Sequence, residues 1–222
     1  MILDSNIMKQ LKFNGKIKIL NSTLTLNIST VSYDEFLNIF TRQVSVENIE
    51  PLNERDRIYY VNRKINFQRT SRLNKTFIPS DETKQLFSQI EAKQRWFVIT
   101  ESWCGDSAQN LPIIYKLASL CEKIDFKIIL RNSNLEFMDL YLTDGKRSIP
   151  KLIVFDENDN ELCRWGPRPV EAQNLFTKLK NEGVEKSEIN KELHLWYGKN
   201  RGKEVEKEIT ELVKMKLIHH SY

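Results

Sequence analysis

Residues of reactive type cluster in one short stretch, Trp103-Cys104-Gly105-Asp106-Ser107. It follows a short apolar run, 95–100, and precedes a helical pattern over 106–121. A cysteine at a helix start faces backbone N–H groups that lack an intrahelical acceptor, and the positive end of the helix dipole. Both favour thiolate, so the position is expected to pull the thiol below its free pKa of about 8.5. Asp106 pushes the other way, because a carboxylate near a thiolate raises the thiol pKa. Ser107 can donate a hydrogen bond to the thiolate but cannot act as a second thiol. The balance of these influences depends on geometry that the sequence does not specify.

The elements that must position this stretch follow from periodicity and breakers. From residue 94 the order is strand (Arg95–Thr100), helix (Asp106–Cys121, with Leu111, Ile114, Ala118 and Cys121 on one side), strand (Phe126–Leu130) and short helix (Leu135–Leu142). Two strands (Lys151–Phe155, Glu161–Trp165) and a helix (Val170–Lys180, with Leu175, Phe176 and Leu179 facing in) complete it. Upstream, Phe13, Ile17 and Ile19, and then Leu24, Leu26 and Ile28, alternate with polar residues, and Asn14-Gly15 is a hairpin signal. Ser32 followed by Glu35 reads as a capping box opening a helix. Pro51 breaks that pattern, a basic helix spans 54–75, and Pro79-Ser80 opens another helix with Leu86, Phe87 and Ile90 as its face. Val205, Ile209, Leu212, Val213 and Leu217 form a terminal amphipathic stripe. The segments are 1–32 (strand-like), 33–93 (helical), 94–183 (the α/β domain) and 184–222 (a helical extension).

Composition narrows the function classes. The 222 residues carry 34 basic and 30 acidic side chains. The positive excess lies in 1–94, with 14 basic against 10 acidic groups. That balance is too weak to argue for nucleic acid. The basic run from Arg55 to Lys75 keeps helical apolar spacing, as a docked helix with a solvated basic face would. No apolar stretch approaches membrane-spanning length. Met1–Gln10 does not read as a signal peptide, so the sequons at Asn21, Asn27 and Asn74 carry no weight. Three cysteines suit a reducing, cytoplasmic setting better than a disulfide framework. Cys121 and Cys163 read as packing residues. His194, His219 and His220 lack metal-ligand spacing, and no phosphate-binding glycine loop is present. No metal and no cofactor are expected.

The strand, Trp-Cys-Gly motif and helix resemble the thioredoxin superfamily. Pro112, eight residues after Cys104, matches the family's helix-kinking proline. Ser148-Ile149-Pro150, with Pro150 46 residues after Cys104, looks like the cis-proline loop that offers backbone to a bound thiol substrate. Asn66-Phe67-Gln68-Arg69 and Trp165-Gly166-Pro167-Arg168-Pro169 are similar to a bacterial subgroup with a helical N-terminal extension. The resemblance implies an α/β thioredoxin-like fold, a central mixed sheet flanked by helices, carrying helical extensions at both ends. The departures are Ser107 where thioredoxins have their second cysteine, Val98 where they bury an aspartate, and Asp106 inside the motif.

Together these features imply a thiol-disulfide oxidoreductase of monothiol type. Cys104 would be the nucleophile, Ser107 would support its thiolate, and Trp103, Gly105, Asp106, Ile149 and Pro150 would line the substrate site. The partners would be protein thiols or disulfides, or glutathione, with no nucleic acid and no membrane. Arg147 and Lys151, flanking the proline loop, read as solvated charge; the alternative reading is that they attract an anionic partner. The first alternative is a non-catalytic thioredoxin-like module that binds a protein partner. The second is a glutaredoxin-like site, because Cys104-Gly105-Asp106-Ser107 resembles the Cys-Gly-Phe-Ser motif of proteins that hold an iron–sulfur cluster with glutathione.

Overall fold

The computed structural model describes residues 11–19, 22–45 and 53–219. The expected break at Pro51, the segment Met1–Gln10, the sequon at Asn21 and His220 lie outside the described residues, as do the surroundings of the Leu217 side chain.

Among the described residues six strands form one mixed sheet in the order β1-β2-β4-β3-β5-β6. They are β1 (Leu11–Ile19), β2 (Ser22–Val31), β3 (Gln94–Thr100), β4 (Ile124–Leu130), β5 (Lys151–Asp156) and β6 (Glu161–Trp165). β3 and β4 run parallel, with Trp96 opposite Phe126 and Thr100 opposite Leu130. β5 lies antiparallel on the other edge of β3. β3 is therefore hydrogen-bonded on both sides, and its unbroken apolar run suits a strand buried on both faces. Its C-terminal end carries the chain directly into the Trp103–Ser107 motif.

The N-terminal hairpin differs from its sequence signal. Asn14-Gly15 is not the turn: Asn14 pairs with Asn27 and Gly15 with Leu26, and the ladder continues to Ile19 opposite Ser22. A turn at 14–15 would forfeit most of those backbone pairings. β2 then joins the sheet through Thr30 and Val31, opposite Ile129 and Ile128. Beyond these pairs the Asn134 side chain bridges, accepting from Ser29 N at 3.0 Å and donating to Leu130 O at 2.8 Å.

Among the described residues eight helices surround the sheet: α1 (Tyr33–Val44), α2 (Glu54–Thr76), α3 (Asp81–Phe87), α4 (Gly105–Ala118), α5 (Leu135–Asp139), α6 (Val170–Asn181), α7 (Lys186–Asn200) and α8 (Lys203–His219). The Ser32–Glu35 capping box closes reciprocally at the start of α1. One face of the sheet packs the larger core. It joins Phe36 and Phe40 of α1, Leu73 of α2, Phe87 of α3, Leu111 and Ile114 of α4, and Val205, Ile209 and Val213 of α8 against Trp96, Val98 and Ile128. The opposite face packs Phe97, Ile99, Ile129 and Ile153 against Phe137, Met138 and Tyr141.

Two features of the C-terminal part were not visible in sequence. Leu175, Phe176 and Leu179 of α6 pack not on the sheet but on Ile189, Leu193 and Tyr197 of α7. The place on the sheet core belongs to α8. The helical extension expected over 184–222 is two helices, α7 and α8; the sequence offers a clear apolar stripe only for the second, because that of α7 is narrow and sits among closely spaced charges. That stripe acquires a partner only once α6 turns its own apolar side toward it.

The loops before β5 and after β6 meet closely. Ile149–Pro150 and Gly166–Pro167 are both cis. Gly166 has φ +107°, and a Cβ there would lie 2.3 Å from the Pro150 carbonyl oxygen. Glycine is required on both counts, conformation and space. Gly166→Ala is expected to lower stability by at least about 2 kcal/mol, measured by denaturant unfolding; a loss within error of zero would contradict this packing.

Candidate functional site

Cys104 is the N-cap of α4, and its carbonyl accepts the first helical hydrogen bond, from Ala108 N, at 3.1 Å. Its own N–H is tied to Glu101 O at 3.1 Å, so the turn from β3 into α4 is fixed on both sides of the cysteine. The Pro150 loop comes to the same point from β5. The Cys104 thiol donates to Ile149 O at 3.3 Å. The expected meeting of the motif with the proline loop is thus realised in atomic contact. Cys104 is 9% exposed, in the cluster with Ile99, Ile149 and Phe137.

The balance that the sequence left open between the helix start and Asp106 falls toward the protonated thiol. Burial pushes the Cys104 thiol up to about 11, and the Asp106 carboxylate adds to that. The Ser107 hydroxyl and the N–H groups of Ser107 and Asp106 oppose the shift without cancelling it. The helix start does supply favourable donors. Desolvation outweighs them, because it penalises the charged sulfur whatever surrounds it. The Ser107 hydroxyl is buried and has no hydrogen-bond partner. It is the donor left over for a thiolate.

Asp106 was expected to line the substrate site. Instead its carboxylate is taken up within the protein. Arg168 contacts both oxygens, Nε to Oδ1 at 3.0 Å and Nη2 to Oδ2 at 2.7 Å. Tyr197 donates its hydroxyl to Oδ1 at 2.9 Å. Burial pushes the Asp106 carboxyl up, with Arg168 the largest opposing influence. The side chain retains 14% of its surface.

Gly105 sits under His194 of α7: a Cβ on it would lie 2.9 Å from the imidazole and 3.7 Å from Arg69 Nη1. His194 Nδ1 is 3.4 Å from Gln109 Nε2. Burial, reinforced by Arg69 and Arg168, lowers the imidazole to about 4. His194 is therefore neutral at physiological pH. Arg69 of α2 donates to Asn66 Oδ1 at 2.9 Å, and Asn66 reaches back to Ser102 O at 3.2 Å. The basic face of α2 is thus not wholly solvated, since Arg63 also bonds Ser102 Oγ at 3.1 Å. Trp103 is half-buried, stacked on Tyr59 with centroids 5.2 Å apart, and the Arg131 guanidinium lies 4.6 Å from its ring.

The charges beside Pro150 are also committed. Arg147 makes two bonds to Asp139, at 2.6 and 2.7 Å. Lys151 was expected to be solvated but is 5% exposed, bonding Thr143 Oγ1 at 2.6 Å and Gly166 O at 3.1 Å. Neither is held out toward a ligand. Cys121 and Cys163 pack against the larger core, on the sheet face opposite Cys104. Among the described residues no group of three metal-ligating side chains is assembled, and no helix is long and apolar enough to cross a membrane. A cavity of about 300 Å³ beside Ile28 and 132–137 does not include Cys104.

With this geometry in place, a family model described as thioredoxin matches residues 54–180, more than half of the chain. The chain belongs to the thioredoxin family. No curated protein matches the sequence of this thioredoxin-family member. A crystal structure of a protein of unknown function from Pseudomonas aeruginosa is similar at TM-score 0.51 and 20% identity, covering 86% of this chain and 99% of that one. An HIV epitope-scaffold is similar at TM-score 0.50 and 20% identity, covering 83% and 98%. At that identity the likeness concerns the fold.

The family match ends before α7, so His194 and Tyr197 come to the thioredoxin motif from outside it. Sequence reasoning missed Tyr197 altogether, weighed Tyr59 only as part of the basic run of α2, and weighed His194 only as a metal ligand. Arg69 and Arg168 had been noted only as parts of motifs. The available signal was the unusual Asp106, a carboxylate that needs a cation wherever the fold buries it.

Two pH responses follow. The thiol's raised pKa means its burial favours folding below about pH 9, and this contribution is lost as pH rises toward 11. Cys104 alkylation, followed by mass spectrometry, is expected to keep accelerating through pH 9; a plateau near pH 7 would overturn the assignment. The lowered imidazole of His194 means stability is complete above its ordinary value of 6.5 and falls as pH drops toward 4. His194→Gln is expected to flatten that acid limb in thermal melts, and an unchanged limb would place the loss elsewhere.

Proposed function

We propose that the protein performs thiol–disulfide exchange through Cys104 as a single-thiol site. The observation that carries this reading is the contact between Cys104 Sγ and Ile149 O, 3.3 Å apart, at the N-terminus of α4. A sulfur held there faces the backbone of the Pro150 loop on one side. On the other it has the helix N–H groups and the unpartnered Ser107 hydroxyl.

The steps balance without a second cysteine. Loss of the Cys104 proton to solvent gives a thiolate, which attacks one sulfur of a glutathione–protein mixed disulfide. The Cys104–glutathione disulfide forms and the protein leaves as its thiolate. A second glutathione thiolate then attacks Cys104–S–S–glutathione, releasing oxidised glutathione and regenerating Cys104. Cys121 and Cys163, on the other face of the sheet, take no part. With a thiol near 11, the thiolate fraction at neutral pH is small. Exchange is therefore slow at pH 7 and rises with pH.

A second reading is favoured by the burial of the thiol and by the Tyr59 and Arg131 contacts to Trp103: a thioredoxin-fold module that binds a protein partner without redox turnover.

The test is release of glutathione from a glutathionylated protein, with free glutathione as co-substrate. Cys104→Ser is expected to abolish catalysed release. Ser107→Ala should retain it at roughly a tenth of the native rate, the loss of one hydrogen bond to a charged group. Full activity in Cys104→Ser would exclude the exchange reading. No activity in the native protein, with a partner retained by Cys104→Ser in a pull-down, would establish the binding module.

A further inference from the structure

The hydrogen bonds that hold Asp106 form a connected set drawn from three elements. Tyr197 of α7 donates to Oδ1, and its own oxygen accepts from Asn110 Nδ2 of α4 at 3.2 Å. The same Asn110 group reaches Pro167 O at 3.2 Å. Arg168, in the loop after β6, spans both carboxylate oxygens. Its remaining bonds leave it little freedom: it donates to Gln173 Oε1 at 3.1 Å, and its guanidinium lies 4.3 Å from the Phe176 ring. An exposed ion pair would contribute little, but here both side chains are largely covered, at 17% and 14% exposure. None of these groups is used by the exchange steps above.

We propose that Arg168 and Tyr197 are positioning residues for Cys104, clamping Asp106 and neutralising it so that a thiolate can form two residues away. The proposal rests on Cys104 being the reacting atom. The charged and titratable groups around the Asp106 carboxylate are Arg69 of α2, Arg168 of the β6–α6 loop, and His194 and Tyr197 of α7. On the thiol's own side lie Asp106, Tyr141 of the same apolar cluster, and Glu101 after β3, which Arg131 and Arg63 offset. With His194 neutral and Tyr197 protonated, the local charge is one carboxylate against two guanidiniums. Arg69 donates to Asn66 Oδ1, whereas Arg168 meets the carboxylate directly. Arg168 is therefore the counter-charge that matters most to Asp106. Asp106 opposes ionisation of Cys104, so removing Arg168 leaves that opposition uncompensated.

The clamp predicts opposite signs for its two charged members. Asp106→Asn removes the carboxylate that opposes the thiolate. Arg168→Gln removes the cation that offsets it. A merely structural role would loosen the start of α4 in both variants, wet the thiol, and lower its pKa in both. The measurement is alkylation of Cys104 by iodoacetamide, a neutral reagent, on the full chain from about pH 7 to 10, scored by mass spectrometry. A shift of one pKa unit changes the thiolate fraction tenfold. Asp106→Asn is expected to speed the reaction at pH 8 by roughly tenfold, and Arg168→Gln to slow it by a similar factor. Arg168→Lys keeps the charge but loses the two-point contact and the Phe176 stacking, so its rate should fall between native and Arg168→Gln. In the Asp106→Asn background the effect of Arg168→Gln should shrink, since its target is gone. If Arg168→Gln does not fold, Tyr197→Phe carries the same sign more weakly, by removing one donor from the carboxylate.

Shifts in the same direction, or none, would overturn the clamp. Failure of the exchange reading is separate: opposite shifts in a protein that releases no glutathione would uphold the clamp and exclude turnover. Native exchange with no opposite shifts would do the reverse.

Discussion

A carboxylate buried at the start of a helix must find a cation, and in this protein the search for one organises the site. Asp106 occupies the first turn of α4, where the helix N–H groups welcome negative charge. Burial still penalises it, and the penalty is met by Arg168 and Tyr197. Arg168 arrives from the loop after β6, and Tyr197 from a helix beyond the extent of the family match. The contact thus ties the ends of the α/β domain to the motif that opens its central helix. Replacing one member of such a buried set leaves the others charged or unsatisfied, which is why these positions are coupled rather than independent.

The state of the thiol follows from competition among three influences of different range. Hydrogen bonds from the helix start act at contact distance and favour the thiolate. The Asp106 charge acts over a few ångströms and disfavours it. Burial acts regardless of direction and prevails. A helix N-terminus lowers a cysteine pKa only when water or compensating charge relieves the desolvation. Here α2 and α7 close over the motif, with Arg69 and His194 against Gly105, and limit that relief. The extensions are therefore part of the site's electrostatics as much as of its walls.

The sheet separates the chemistry of the three cysteines. Alternation along β3 sends Phe97 and Ile99 to one face, with Cys104, and Trp96 and Val98 to the other. Cys121 and Cys163 belong with Val98. Disulfide formation with Cys104 would require crossing a close-packed layer. Ser107 and this partition together account for a site with one thiol.

What the sequence alone determined was local. The capping box at Ser32, the helix start at Cys104, the apolar run of β3 and the meeting of Ile149-Pro150 with the motif all follow from neighbours within a few residues or from a family spacing. Asn14-Gly15 was a local signal that lost, because one turn cannot outweigh the backbone pairings of an extended ladder. The tertiary structure decided what long-range contact and burial control: the pairing of Asp106 with Arg168 and Tyr197, the neutral His194 over Gly105, the committed Lys151, and the sign of the Cys104 shift. Helix α7 belongs to the same group, since its narrow apolar stripe becomes meaningful only against α6. The physical reason is common to all of them. Propensity, capping and turn chemistry are carried by adjacent residues, whereas desolvation and charge pairing depend on which distant segments enclose a group, and that is known only when the chain is folded.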